Sequence, residues 1–122
     1  MKSLCAWFEI PVADYDRAKK FYEAVLQLPI TDSDFGDVKM GMFPFEGYAN
    51  SGSITLHEGH EPSTHGTMVY LNVGEDLSNA LSRVEPAGGK ILTPKTKITD
   101  EYGFYAVFGD TEGNRVAFHS TK

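Results

Sequence analysis

The pattern that most limits how this chain can fold occurs twice. LCAWFEIPV, residues 4–12, alternates in its second half, with Phe8, Ile10 and Val12 on one side and Trp7, Glu9 and Pro11 on the other. That predicts a strand with one apolar face. Helix signals follow at once: Asp14 stands at a capping position, Asp16 in the first turn, and Ala18, Phe21, Tyr22, Val25 and Leu28 recur at helical spacing up to Pro29. Short strands are then expected near 30–34, 37–43 and 51–57, separated by Asp34-Phe35-Gly36, Pro44, Gly47 and Asn50-Ser51-Gly52. From TMVYLNV at 67–73 the order restarts, Val69, Leu71 and Val73 alternating with Met68, Tyr70 and Asn72. Glu75 or Asp76 is placed to cap a second helix carrying Leu77, Ala80, Leu81 and Val84, and Pro86-Ala87-Gly88-Gly89 closes it. Strands follow near 90–95, 103–109 and 114–119, the last two joined by Asp110-Thr111-Glu112-Gly113-Asn114, read as a turn whose residues tolerate positive φ.

Laying Val12-Ala13-Asp14 on Val73-Gly74-Glu75, and Ala18 on Ala80, brings the halves into line as a duplicated βαβββ unit. One helix can cover only one face of each unit's sheet, so the other face must meet a neighbour or curl around a cavity. The expectation is an α+β fold: one domain of two βαβββ modules, about 1–60 and 65–122, whose strands form a curved mixed sheet with a hollow face. A chain of 122 residues suits a single core.

Charge narrows the partners. Eleven basic residues against seventeen acidic ones give −6, and the longest basic run is Lys19-Lys20. Nothing here would neutralise a row of phosphates, which argues against nucleic acid and anionic membrane. The N-terminal MKSLCAWFEI lacks the apolar run of a leader, and the single Cys5 fits a reducing cytoplasm, with core packing in a strand as its expected role.

Three stretches, FEIPVADYDRAKKFYEAVLQL (8–28), VYLNVGEDLSNALSRVEPAGGKILTPKT (69–96) and FYAVFGDTEGNRVAF (104–118), resemble the vicinal oxygen chelate superfamily in order and spacing. That superfamily groups glyoxalase I, bleomycin-resistance proteins and extradiol dioxygenases. The resemblance implies the fold just described, a homodimer, and one divalent metal held on the hollow face. It places a His on the first strand, a His or Gln on the opening strand of the second module, and a Glu on the last strand. Here those positions hold Trp7, Met68 and Ala117. An indole has no acceptor, a thioether is a weak soft ligand and a methyl group is none, so no resident metal cofactor is expected. Glyoxalase or dioxygenase chemistry in its usual form is then not expected either.

HEGHEPSTHG, residues 57–66, holds three of the four histidines. His57 and His60 have a ligand-compatible spacing, but the surrounding Gly, Pro, Ser and Thr favour a solvated linker between modules. On the hollow face the expected lining is Trp7, Met68, Tyr70, Asn72 and Ala117 as ligand-binding wall, with Glu9 and His119 as polar groups. That composition suits a small organic molecule. Glu9 and His119 form a candidate acid–base pair if the fold brings them together; the plainer reading, favoured here, is that each has only a structural hydrogen bond. The first functional reading is therefore a metal-free protein that binds or sequesters a small molecule. The alternative is a lyase, isomerase or dioxygenase with a displaced Zn, Ni, Fe or Mn site built from Glu9, His57 and His119. A third is an accessory domain without a ligand.

Overall fold

The computed structural model describes residues 4–45 and 51–122, so Gly47 and Asn50, read above as strand breakers, lie outside the described residues. In chain order the elements are β1 (Trp7–Pro11), α1 (Tyr15–Leu26), β2 (Thr31–Phe35), β3 (Val38–Met42), β4 (Ser51–Leu56), β5 (Tyr70–Asn72), α2 (Ser78–Val84), β6 (Lys90–Thr99), β7 (Gly103–Gly109) and β8 (Arg115–Ser120). They form two four-stranded sheets, ordered β1-β4-β3-β2 and β5-β8-β7-β6. β1 runs parallel to β4 and β5 parallel to β8, while the other pairs are antiparallel. The duplicated βαβββ order and the α+β class are thus present, as two mixed sheets. No helix among the described residues is long and apolar enough to cross a membrane.

Local chemistry explains most boundaries. Asp14 caps α1, its Oδ1 accepting the Arg17 N–H at 3.1 Å. The helix stops at Gln27, which adopts the left-handed conformation at φ 56° and donates its N–H to the Glu23 carbonyl. Leu28, expected on the helix's apolar face, therefore lies outside it and is 44% exposed. The cause is Pro29, whose ring disfavours helical backbone at the residue before it. Neither Glu75 nor Asp76 is the cap of α2; Leu77 holds that position and has no side-chain cap bond. Asp76 still satisfies one helix donor, taking the Ser78 N–H at 2.9 Å, and the Leu77 N–H goes to Ser120 Oγ. β5 is shorter than the 67–73 expectation, although Val69 and Val73 each add one backbone bond to β8 beyond its ends. Cys5, expected to pack inside a strand, is exposed because β1 begins only at Trp7, where pairing with Ser51 begins.

A single apolar cluster joins both sheets to both helices. Ile10, Phe43 and Ile54 come from the first sheet, Leu71, Phe108 and Phe118 from the second, and Phe21, Tyr22 and Val25 of α1 lie between them. The Phe21 and Tyr22 rings sit 6.0 and 6.5 Å from Phe108, and Tyr22 is 5.9 Å from Phe43. The helix of the first module is therefore packed on the sheet of the second as well as on its own.

The segment 110–114 is more than the plain turn read from sequence. Only Gly113 has a positive φ, and Asp110, Glu112 and Asn114 are all buried. Asp110 Oδ1 accepts the backbone N–H groups of Glu112 and Asn114, and its Oδ2 accepts the Tyr22 hydroxyl at 2.7 Å. Asn114 Nδ2 donates to the Pro11 carbonyl at 2.7 Å. Glu112 Oε1 takes the N–H groups of Ala13 and Asp14 at 2.9 and 2.7 Å, and its Oε2 takes Arg17 Nε at 2.7 Å. The β7–β8 turn thus supplies acceptors to orphan donors at the start of α1, which ties the modules together by polar bonds beside the shared apolar core.

Gly103 opens β7 at φ +82°, and a Cβ built there would lie 2.2 Å from the Ser120 carbonyl oxygen. Gly103→Ala is expected to lower unfolding free energy by roughly 1–3 kcal/mol, read as a lower denaturant midpoint with unchanged slope.

Candidate functional site

Strand parity and register decide what the faces away from the helices carry. β1 pairs Trp7 with Ser51, Glu9 with Ser53 and Pro11 with Thr55, while β3 brings Met40 and Met42 opposite Thr55 and Ser53. Because Ile10 and Ile54 point into the core, Trp7, Glu9, Ser53, Thr55 and the two methionines share the opposite face. Ser53 and Thr55 are fully buried there and hydrogen-bond each other at 2.9 Å. In the second sheet Tyr70 pairs with Ala117 and Asn72 with His119, and β7 adds Val107 and Tyr105 beside them. Leu71, Val116 and Phe118 face the core, so Tyr70, Asn72, Ala117 and His119 face away from it.

These side chains do not make the contacts expected of a catalytic pair. His119 Nε2 lies 2.6 Å from the Tyr102 carbonyl. A carbonyl only accepts, so this nitrogen carries a proton and the ring is held by the turn between β6 and β7. Glu9 has a different neighbour: its Oε1 is 3.6 Å from His60 Nε2, and no ion pair joins it to His119. His60 arrives there because the linker doubles back, with its N–H bonded to the His57 carbonyl at 3.1 Å and Gly59 at φ +85°. Sequence reasoning placed His60 in a solvated linker and missed this position; the signal for it was Gly59, the one residue between His57 and His60 suited to a left-handed turn. His57 itself is exposed and forms an isolated bridge with His60. Asn72 Oδ1 is used locally, accepting the Gly74 N–H at 3.1 Å, and the Trp7 ring meets Phe45 edge-on at 6.1 Å.

A divalent metal does not fit this donor set. Trp7 and Ala117 share a face with Glu9 and His119 in their respective sheets, and neither offers a lone pair to a hard or borderline ion. Of the residues of the displaced alternative, Glu9 faces His60 and His119 faces the Tyr102 carbonyl. Among the described residues no three His, Cys, Asp or Glu side chains are grouped to hold an ion.

Two cavities stand out, and neither is walled by Trp7, Met68, Tyr70, Ala117 or His119. The smaller, about 110 Å³, lies where the linker crosses the start of β8, with Glu9, Glu61, His65 and Arg115 around it. The larger, about 680 Å³, is on the helix side of the sheets and includes Asn72. On the faces turned from the core, Ser53, Thr55 and Ala117 are fully buried, while Tyr70 is 52% exposed.

The chain is similar to several known proteins over most of its length. A glyoxylase-like domain-containing protein of Didymella fabae is 31% identical over 111 residues, covering 87% of this chain and 84% of its own. The glyoxylase/bleomycin resistance protein/dioxygenase domain from Frankia sp. EAN1pec superposes with a TM-score of 0.74 at 16% identity, covering 100% of both chains. TnmS3, an antibiotic binding protein from Streptomyces sp. CB03234, gives 0.64 at 20% identity, with 98% and 97% covered. Glyoxalase I from Zea mays gives 0.66 at 19% identity over 95% of this chain, which spans only 45% of the maize chain. A family model described as Glyoxalase/Bleomycin resistance protein/Dioxygenase superfamily matches residues 5–118. With the duplicated modules and parallel β1–β4 and β5–β8 pairs already in place, the chain belongs to that superfamily.

Proposed function

We propose that this protein binds a small, largely aromatic organic molecule on the sheet face turned away from its helices, and does so without a divalent metal. One observation carries the reading. At the positions where the superfamily resemblance implies donors stand Trp7, Met68 and Ala117, none able to hold a hard cation; Ala117 is fully buried, and the half-buried Trp7 and Met68 with the exposed Tyr70 supply apolar and aromatic surface. Such a surface gains free energy from stacking and burial and has nothing with which to polarise a substrate oxygen. The likeness to an antibiotic-binding protein supports sequestration as the activity. The exposed Tyr70 ring also suits coverage by a second copy of the chain, so the binding unit is a homodimer.

Trp7 is the only tryptophan in the sequence, which makes it a built-in reporter. Titration with planar polycyclic antibiotics is expected to quench its fluorescence saturably, one ligand per chain, in a dimer by sedimentation. Chelator should leave the affinity unchanged, and Tyr70→Ala should weaken it about tenfold. Binding abolished by chelator and restored by Zn, Ni, Fe or Mn would overturn the proposal, as would a protein indifferent to every compound tested.

A further inference from the structure

The cavity of about 680 Å³ on the helix side lies where the two modules meet, with Phe8 and Phe43 from the first and Leu71 from the second among its walls. The start of α2 contributes Asp76 and Asn79 to its wall.

Arg83, one turn along α2, also lines this cavity and is half-buried. Its Nε donates to the Val25 carbonyl at 2.8 Å, which fixes the plane of the guanidinium. The two Nη groups have no hydrogen-bond or ion-pair partner among the described residues. Asp76 does not neutralise this charge. The Ser78 N–H and Lys95 Nζ, each 2.9 Å from Asp76 Oδ1, hold its carboxyl down at about 2, so it is an ionised group already matched by a lysine.

We infer that this cavity is a second small-molecule site, and that it takes an organic carboxylate with an aryl or alkyl body. The volume is in the range of about 300–1,000 Å³ that holds such molecules. The body would lie on Phe8, Phe43 and Leu71, and the carboxylate on the paired Nη donors, whose planar fork matches two carboxylate oxygens where a single ammonium would not. The site is built mainly from core-side and helix residues and shares only Asn72 with the expected lining of the other face, so either can fail without the other.

The test is isothermal titration of the whole chain with 4-phenylbutyrate, and with 4-phenylbutyramide as the uncharged counterpart. One carboxylate should bind per chain, and the amide at least about tenfold more weakly, the size of one charge-assisted pair. Arg83→Met should weaken the carboxylate at least about tenfold and leave the amide unchanged. Asn79→Trp, at an exposed position on the rim, should block both compounds, while Trp7→Phe and Tyr70→Ala alter neither. Absence of carboxylate binding, equal affinity for acid and amide, or binding that survives both Arg83→Met and Asn79→Trp would overturn the inference.

Discussion

Glu112→Ala is expected to lower the free energy of unfolding by roughly 3 kcal/mol, far more than Arg17→Ala, although the two side chains are partners. The asymmetry follows from exposure. The Glu112 side chain is fully buried and that of Arg17 is 51% exposed, so an arginine left alone can turn to water. The N–H groups of Ala13 and Asp14, which both donate to Glu112 Oε1, cannot do so as readily. Burial by itself would raise the Glu112 carboxyl, but Arg17, the two backbone donors and the Thr111 hydroxyl outweigh it and hold it down to about 2, against an ordinary value of 4.5. A carboxyl lowered in the folded state contributes stability that is fully present above about pH 4.5 and is lost as pH falls toward 2. The contribution is on the order of 3 kcal/mol. Denaturant titrations at a series of pH values should show this loss in the wild type and a much shallower one in Glu112→Gln. Asp76 and Asp32, both also held below their usual range, account for acid sensitivity that remains. Equal acid profiles for wild type and Glu112→Gln would refute the assignment.

Phe108→Ala is expected to cost about 3–5 kcal/mol, the range for deleting a fully buried phenyl ring. Phe108 has no exposed surface and touches three other rings: Phe118 at 4.5 Å, Phe21 at 6.0 Å and Tyr22 at 6.5 Å. Two of these belong to the helix of the other module, so relaxation around the cavity is limited by both halves. Phe104→Ala, on the same strand but only partly buried, should cost markedly less. Urea unfolding followed by both Trp7 fluorescence and far-ultraviolet dichroism measures the two variants. A loss confined to one signal would show that the modules melt separately, against this account.

The duplicated order was legible because strand and helix leave different periods, and because a repeated pattern is read twice. The same alternation is what groups Trp7 with Glu9, and Tyr70 and Asn72 with Ala117 and His119, since side chains on a strand change face at every residue. What each of these touches was not legible. Glu9 meets His60 through a linker turn, and His119 meets a carbonyl seventeen residues away in sequence, contacts set by tertiary approach rather than periodicity. The 110–114 segment shows the same limit. Its residues are those of an ordinary turn, and their importance comes from Pro11, Ala13, Asp14 and Tyr22, roughly ninety to a hundred residues earlier. Leu28 was misplaced for a local reason, because helical spacing continued while Pro29 had already ended the helix.

The packing of α1 on Phe108 has a consequence for the duplicated architecture. A fragment ending before the linker would bare Phe21 and Tyr22 to water, and a fragment beginning after it would bare Phe108 and Phe118. Cutting the backbone in the exposed stretch 61–67 should therefore yield complementing pieces that stay associated after nicking, each insoluble when expressed alone. The most slowly exchanging amides of the two halves should then share one protection factor.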